Sequence, residues 1–507
     1  MLAPWVIEEM ETADLSDQRL NDRLNQILSD FACRPTASIP AACGGYNEMV
    51  ATYRFMDNDK ATFQAIIRPH VEQTRRRMAA QETVLMVQDT TEADLTRPEQ
   101  QVQGAGPLDG SARRGGFIHP LHAFTADGTP LGTAWCMTWA REVEVEPSSK
   151  EQKRRRRKAT PIEEKESQRW IEGLRQAREI AQEMPQTRCA CIADSEADIY
   201  EFFAESRGPV PVHWLIRACQ DRALEVMDDD DRDPEFESIE SRDSQGKSEE
   251  KAEAGQVSSH LRSRVMDTPV LFTRQITVRG RIAKLSCETR GRRQSRVTRP
   301  ADLEVRAATV TLRPPWRPGS SLPPVVVNVV VVSEPSPPEG EEPIEWILAT
   351  TLPIETLEQV QQIIEYYCVR WMIEIFFRTL KSGCRVEERR FERMDRWEAC
   401  VAIYLIVAWR TLMACRLGQS CPELDCEAIF DPSEWKSVWV TLNRKAPPKT
   451  PPRLSVMLRL IAQLGGYVNR PNRPDPPGPQ TVWLGMQRMS DLAAAWNAFG
   501  PGAKPLK

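Results

Sequence analysis

The chain has 507 residues, a formal net charge of −5, thirteen cysteines and only five histidines. That length suffices for two or three domains with substantial cores, whereas no apolar run approaches the roughly 20 residues that span a bilayer. The first residues are acidic where a secretory signal would be basic, and an odd number of cysteines without disulfide-like spacing indicates a reducing compartment. We therefore expect a cytoplasmic protein with no membrane segment and no structural zinc.

The charge is unevenly distributed along the chain. Residues 228–253 contain twelve acidic and four basic side chains, whereas residues 258–320 contain fourteen basic and four acidic ones. Such separation can hide a basic surface behind a near-neutral total. Another basic block, KRRRRK at 153–158, is interpreted either as a solvated loop or as a non-specific phosphate contact.

Residues 1–75 are predicted to be helical. Ser16 can cap the run that follows it, where leucine and isoleucine recur on one face, and a second helix is predicted over 47–58. Four basic side chains are expected at the surface of these helices: Arg19, Arg23, Lys60 and Arg68. They are compatible with a small DNA-binding domain but do not require one, because acidic side chains are at least as numerous.

Two short apolar strands that each end in aspartate dominate the central region. One is TVLMVQD, ending at Asp89, and the other is RCACIAD, ending at Asp194. Between them two further strands and a helix are predicted, at 116–125, 130–139 and 167–183. A further helix is predicted at 196–205, directly after the second aspartate. The resulting βββαβα order places both carboxylates at one edge of a central sheet, where open α/β sheets gather ligand groups. A single such aspartate is usually a helix cap or a turn former.

Mainly β character follows Asp194. Strands are predicted at 213–217 and 346–350, within 270–312, and in a valine-rich run at 325–332. We interpret residues 205–345 as a β-rich insertion in the core, and residues 227–256 within it as a disordered acidic stretch.

Residues 365–381, EYYCVRWMIEIFFRTLK, are predicted to lie on one helix. Thr356 and Gln359 offer a capping box at its start, and Gly383 is a stop signal at its end. The other sides of the helix are apolar, so it is expected to be buried except for one polar stripe. The stripe contains Tyr367, Arg370, Glu374, Arg378 and Lys381.

Two interpretations of this stripe remain open from the residues alone. It can be a series of ion pairs, Arg370 with Glu374 and Glu374 with Arg378, each worth a few tenths of a kcal/mol. Alternatively, the carboxylate holds a metal ion while the basic and phenolic groups hold phosphates.

The C-terminal region is predicted to be helical and rich in proline. An apolar helix is expected over 391–417, and beyond residue 418 two segments at 454–464 and 489–499 have apolar faces suited to a dimer interface. The predicted domains are a helical one at 1–75, a core at 76–417 and a helical dimerisation domain at 418–507.

Asp89, Asp194 and Glu374 lie on three separate predicted elements. Three such carboxylates can hold two divalent ions roughly 3.5 to 4 Å apart, one activating an attacking hydroxyl and one stabilising the leaving oxygen of a phosphodiester. Magnesium suits this arrangement because it takes few carboxylate ligands and accepts phosphate oxygens. Such a site needs no histidine, which agrees with the composition.

The pattern Y-x2-R-x3-E-x6-K over residues 367–381 is similar to the YREK signature of the insertion-sequence-four family of bacterial DDE transposases. Residues 89–91 (DTT) and 194–198 (DSEAD) resemble the first and second aspartate motifs of that family. Further similarity, to the transposon-five transposase, extends the resemblance over nearly the whole chain: YRF at 53–55, WIL at 346–348 and LGGY at 464–467.

The resemblance implies an α/β protein whose RNase H-like catalytic core carries a β-strand insertion and is flanked by helical N-terminal and C-terminal domains. Asp89, Asp194 and Glu374 would bind two Mg²⁺ ions, with Mn²⁺ as a substitute. A homodimer in a synaptic complex would hydrolyse double-stranded DNA at the inverted transposon ends, form a hairpin with the freed 3′ hydroxyl, and join the reopened end to target DNA. We expect this to occur in the bacterial cytoplasm, at the nucleoid.

The resemblance also implies a set of DNA contacts. Trp346 would stack on a base flipped out during hairpin formation, although a tryptophan at a strand start is also a common core residue. Phosphates near the scissile bond would be contacted by Tyr367, Arg370 and Lys381. Further basic contacts with DNA would come from Arg378 and Arg217, and Arg54 would belong to the N-terminal domain that recognises the transposon end.

Two positions depart from the transposon-five pattern, because Ser195 stands where arginine is found and Phe377 stands where histidine is found. Two other functions remain open: a DNA-binding protein derived from a transposase that no longer cleaves, and a metal-dependent nuclease without strand transfer. The three carboxylates disfavour the first, and the helical C-terminal region and basic YREK groups disfavour the second.

Overall fold

The computed structural model divides into two compact units. The first consists of Met1–Ala193, Arg207–Val212 and Glu365–Lys507, and the second of Asp194–Ser206 and His213–Ile364. The structure describes residues 2–501 except for 98, 100, 110–111, 143–150, 152–159, 226–259, 279–296, 318–320 and 469–475. The basic block at 153–158 and the acidic stretch at 227–256 therefore lie outside the described residues.

Helices form the N-terminal part of the first unit. They are α1 (Pro4–Glu9), α2 (Gln18–Cys33), α3 (Ile39–Cys43), α4 (Tyr46–Met56) and α5 (Phe63–Ala79).

The start of α2 differs from the prediction. Asp17, not Ser16, is the cap, and its side chain accepts a hydrogen bond from the backbone of Arg19. Ser16 instead has a φ of 58°, so it cannot supply the extended backbone that a cap residue has. The predicted apolar face is buried through Leu24, Ile27 and Leu28.

A mixed sheet forms the centre of the first unit. Its strands are β1 (Thr83–Gln88), β2 (Thr91–Asp94), β3 (Gly106–Pro107), β4 (Arg114–Thr125), β5 (Pro130–Trp139) and β6 (Arg188–Ala193), with α6 (Gln168–Gln182) between the last two. β4 pairs antiparallel with β1, β2, β3 and β5. β1 and β6 are parallel neighbours, with Val87 opposite Ile192. The sequence predicted β1, β4, β5, α6 and β6, whereas β2 and β3 were not predicted because they are only four and two residues long.

The second unit contains an antiparallel sheet with strand order β7-β11-β10-β9-β8. These strands are β7 (His213–Ala218), β8 (Phe272–Val278), β9 (Arg299–Leu312), β10 (Val325–Ser333) and β11 (Glu345–Thr350), and the unit also contains α7 (Tyr200–Ala204) and α8 (Leu261–Met266). Alternate residues of β9, such as Leu303 and Val305, are buried, as expected of a strand with one core-facing side.

The helix predicted over 365–381 is divided into three segments. It consists of α9 (Leu357–Val369), α10 (Trp371–Arg378) and a π-helical turn at Thr379–Gly383. At Arg370 the hydrogen bonds tighten, because its N–H bonds to the carbonyl of Tyr367 and its own carbonyl accepts from Ile373, each a three-residue step. The helix is also less buried than predicted, since Trp371 is 44% exposed.

Four further helices lie in the described C-terminal part of the first unit: α11 (Met394–Ser420), α12 (Pro432–Asn443), α13 (Leu454–Leu464) and α14 (Pro479–Phe499). α12 was not predicted, and α14 begins ten residues earlier than the predicted segment at 489–499. α11 is long and apolar enough to cross a membrane, but 83% of its apolar window is buried inside the protein. That burial is typical of a core helix.

Candidate active site

Asp89 is the residue that follows β1, whose inner residues are buried. It accepts a hydrogen bond from the backbone N–H of Thr90 at Oδ1, at 2.7 Å. The carboxylate therefore lies at the end of a strand whose position is fixed by pairing on both sides, with β4 and with β6.

The guanidinium of Arg370 joins two of the three predicted carboxylates. Its Nη1 donates to Asp89 Oδ2 at 3.2 Å, and its Nη2 donates to Glu374 Oε1 at 2.8 Å. The side chain of Arg370 is 6% exposed, that of Asp89 15% and that of Glu374 47%. Burial opposes the charged form of Arg370, but the hydrogen bond to Glu374 and the charges of Tyr367, Asp89 and Glu374 outweigh it and raise its pKa.

This geometry confirms the predicted ion pair between Arg370 and Glu374. The second predicted pair, Glu374 with Arg378, is absent from this fully described segment, and Arg378 is an exposed residue at the end of α10. Arg370 pairs with Asp89, at the end of β1, as well as with Glu374 on its own helix, so the stripe is not a simple run of i,i+4 pairs.

Asp194 is the first residue of the second unit and follows β6 directly, as Asp89 follows β1. Its side chain accepts from the backbone N–H of Glu196 at 2.9 Å and caps the 3₁₀ turn Ser195–Ala197. Asp194 therefore has the turn-forming role that the sequence allowed. Only one of its two carboxylate oxygens takes part in this hydrogen bond.

The donor set suits a hard divalent cation. Asp89 and Glu374 offer only carboxylate oxygens, the ligands that Mg²⁺ and Mn²⁺ prefer, and both already turn toward one positive group. Within the described residues no three or more His, Cys, Asp or Glu side chains are grouped so that they could hold a metal ion. A cluster of three carboxylates therefore remains a prediction.

The other residues of the stripe differ in accessibility. Tyr367 is 2% exposed on α9. Lys381 lies in the π-helical turn and pairs with Glu387 at 3.3 Å. Trp371 was assigned to an apolar side of the helix, yet its ring is exposed and stacks 4.8 Å from the Arg370 guanidinium.

In the second unit, two predicted DNA contacts share one face of the sheet. Arg217 on β7 is exposed and lies opposite Leu348 on β11. Trp346 is two residues before Leu348, so its half-buried side chain points to the same face as Arg217.

A groove of about 660 Å³ lies between α2 and α4. Arg54 lies in it together with Arg19 and Arg23, and Tyr46 at its edge is 75% exposed. Arg23 is paired with Glu48 at 2.5 Å, whereas Arg19 and Arg54 form no ion pair with any described residue.

A buried chain of hydrogen bonds beside Asp89 was not predicted. Arg169 Nε donates to Thr90 Oγ1 at 2.8 Å, and Thr90 Oγ1 lies 2.9 Å from His119 Nδ1. His119 Nε2 is 3.1 Å from Gln88 Oε1. Burial, followed by the charge of Arg169, lowers the pKa of His119 well below its usual value, so a neutral ring accepts from Thr90 and donates to Gln88. In the sequence, the rarity of histidine was the one signal that could have drawn attention to His119.

Comparison with known proteins matches three family descriptions in order along the chain. "Transposase DNA-binding" covers residues 2–61, "Transposase DDE domain" covers 166–409, and "Transposase Tn5 dimerisation domain" covers 406–497. A cryo-EM structure described as a piggyBac transposase synaptic complex with hairpin DNA aligns over 89% of this chain and 83% of that chain, at 8% identity and a TM-score of 0.33. That likeness is too weak to carry a conclusion.

A DNA-binding domain, a DDE domain and a dimerisation domain in this order define the class of DDE transposases, enzymes that cleave DNA and transfer its strands. The chain belongs to the Tn5-like members of that class. DDE domains use divalent metal ions, and DNA and a second copy of the chain are the partners that the other two domains indicate.

Proposed function

We propose that this transposase performs cut-and-paste transposition at inverted transposon ends, with Asp89, Asp194 and Glu374 as its metal-binding catalytic residues. The observation that carries this proposal is that Asp89 and Glu374 both bind the guanidinium of Arg370, although Asp89 lies 281 residues from Arg370 in the sequence. We include Asp194 because it directly follows β6, the parallel neighbour of β1, just as Asp89 directly follows β1. We also propose that the catalytic core has an RNase H-like arrangement.

Two Mg²⁺ ions, or Mn²⁺ in their place, would activate the attacking hydroxyl and stabilise the leaving oxygen. The protein's part is to bind and orient. Arg370 carries a positive charge into a largely buried site, where it can bind a phosphate oxygen of the scissile bond more strongly than in water. Tyr367 and Lys381 would contact neighbouring phosphates, and the exposed Arg378 would contact the backbone farther along the strand.

The proposed reaction begins with hydrolysis at the transposon end and continues with hairpin formation by the freed 3′ hydroxyl. Trp346 would stack on the flipped base and Arg217, on the same face of its sheet, would hold the adjacent phosphate. Opening of the hairpin and attack on target DNA complete the cycle.

The proposed domain boundaries remain 1–75 for end recognition, 76–417 for the core with its insertion at 205–345, and 418–507 for dimerisation. Arg54 would contact the transposon end from the groove between α2 and α4. The working form would be a homodimer in a synaptic complex, acting in the cytoplasm at the nucleoid.

A nicking and joining assay tests the proposal. A labelled duplex that carries an inverted end with flanking DNA is incubated with the intact protein and Mg²⁺, and with Glu374→Ala and Asp89→Asn. We expect nicked, hairpin and strand-transfer products from the intact protein, and a loss of at least about 10³-fold in each variant, the scale at which essential electrostatic groups act.

A matched control is Glu365→Ala, which removes a carboxylate from α9 outside the proposed site. This variant should retain the wild-type rate. Binding without nicks in the intact protein would favour a retired transposase, and nicking without hairpins or joining would favour a simple nuclease.

A further inference from the structure

Asp198 is a buried carboxylate in the second unit that the proposed chemistry does not use. The residue is 3% exposed. Its Oδ2 accepts from the backbone N–H groups of Cys219 and Gln220, both at 2.8 Å. Its Oδ1 accepts from Arg222 Nε at 2.9 Å and from Arg222 Nη2. Four donors therefore converge on this one carboxylate.

Arg222 is also fixed by several contacts. Its Nη2 also donates to the backbone carbonyl of Asp198 at 2.8 Å, and Gln220 Nε2 donates to that carbonyl at 3.0 Å. The guanidinium lies 5.0 Å from the ring of Phe203, and the side chain is 9% exposed. A charge pair this buried is costly to break from either side, so the two segments that carry it are fixed to each other.

These two segments carry proposed functional residues. Asp198 closes the 3₁₀ turn that begins at Asp194, and its N–H bonds to the carbonyl of Ser195 at 3.3 Å. The same carbonyl lies 3.6 Å from Cys219 Sγ. Residues 219–222 follow β7 directly, and β7 carries Arg217. A three-residue 3₁₀ turn has little stability of its own, so its orientation depends on these bonds.

We propose that Asp198 and Arg222 are positioning residues, which fix the turn of Asp194 against the end of β7 so that the Asp194 carboxylate is oriented for DNA cleavage. The inference rests on the proposed function, because it takes Asp194 to be catalytic. Neither residue touches the reacting atoms. They act through Asp194, as the outer partners of ligating carboxylates do elsewhere.

Asp198→Asn tests this proposal, because it preserves shape and removes the charge. Nicking of the end duplex, corrected for the folded fraction, should fall about 100-fold, the scale of a small misplacement of a reacting group. The Kd for Mn²⁺, measured without DNA from the EPR signal of the free ion, should rise about 10-fold. The Kd for end DNA in EDTA should change less than about 3-fold, since the site is only reoriented.

Glu334→Gln is the matched control. It breaks another buried carboxylate–arginine pair of the second unit, with Arg299 at 2.5 Å and side chains 3% and 13% exposed. It should lower the Tm as Asp198→Asn does, but leave the nicking rate per folded molecule and the Mn²⁺ Kd at wild-type values. Arg222→Lys keeps the charge and loses the two-point contact, so it should fall between wild type and Asp198→Asn.

The outcomes distinguish a failure of the positioning role of Asp198 and Arg222 from a failure of the proposed catalytic function of Asp194. If Asp198→Asn and Arg222→Lys lose nicking only in proportion to their unfolded fraction and bind Mn²⁺ normally, the pair is structural and the positioning role is wrong. If Asp194→Ala nicks as well as the intact protein, it is the proposed catalytic function that fails. Should Asp198→Asn not fold, Arg222→Lys decides between positioning and structure by the same two measurements.

Discussion

Arg370 donates hydrogen bonds to two carboxylates through one guanidinium, and we expect its removal to lower the stability of the protein. Arg370→Ala leaves Asp89 and Glu374 without their shared hydrogen-bond donor. We expect the free energy of unfolding to fall by about 1.5 to 3 kcal/mol, the range for hydrogen bonds to charged groups. We also expect MgCl₂ to raise the Tm of the variant more than that of the intact protein, because the ion would replace the lost positive charge. Urea denaturation and thermal melts with and without MgCl₂ measure both effects.

Arg378→Ala is the control for that experiment, because Arg378 is exposed and lies on the same helix. Its stability should change by less than about 0.5 kcal/mol. An equal response to MgCl₂ in all three proteins would mean that Asp89 and Glu374 do not form the ion site.

Three fully buried histidines predict that stability depends on pH. Burial lowers the pKa of His70, although Glu9 beside it acts in the opposite direction. Burial also lowers the pKa values of His119 and His122 well below the usual range. The unfolded chain therefore binds protons that the folded chain cannot, and the free energy of unfolding falls as pH falls below about 6.5, by up to about 1.4 kcal/mol per pH unit for each histidine.

Urea denaturation in steps from about pH 7.5 to 5.5 measures this slope. His122→Gln removes one of the three titrating rings and should make the slope smaller without abolishing it. A pH-independent stability across this window would show that the folded chain protonates these rings as easily as the unfolded chain does.

At the level of elements, the contact of α13 with α14 depends on a glycine. A Cβ added at Gly485 would lie 1.9 Å from the carbonyl oxygen of Ile461, so the two helices could not keep their present distance. Gly485→Ala should therefore lower the free energy of unfolding by about 1 to 3 kcal/mol and weaken self-association. Thermal melts and sedimentation equilibrium test this.

Gly478→Ala is the matched control, because a Cβ there meets nothing within 4 Å and the φ of −75° is open to alanine. It should change the stability by less than about 1 kcal/mol, the cost of a poorer helix cap. Wild-type behaviour of Gly485→Ala would mean that α14 can shift away from α13 without loss.

The sequence was most informative where a local pattern and a tertiary role coincide. The strands that precede Asp89 and Asp194 were predicted because their apolar runs end at a polar turn residue, and the structure places them side by side. The break at Arg370 was not predicted, and the contact of its side chain with Asp89, 281 residues away, could not be predicted because it depends on the fold. The Asp198–Arg222 pair was missed for the same reason, because it joins residues whose proximity depends on the fold.

At the scale of the whole molecule, a chain with a net charge of −5 must bind DNA through local positive surfaces. The N-terminal groove is one such surface in the described structure, since Arg19 and Arg54 line it without an acidic partner among described residues while Arg23 is neutralised by Glu48. Unpaired guanidinium groups release counterions from DNA when they bind phosphates, and paired ones release fewer.

Replacing each arginine by glutamine therefore gives a graded prediction. Arg19→Gln and Arg54→Gln should each weaken binding of an end duplex and reduce the slope of log Kd against log salt by about 0.9, the value for one phosphate contact. Arg23→Gln should reduce it less, because Glu48 already satisfies that side chain. Fluorescence anisotropy over a series of KCl concentrations measures the slopes. Equal slopes in all four proteins would place the DNA on another surface, because a groove that contacts phosphates cannot lose a charge without losing salt dependence.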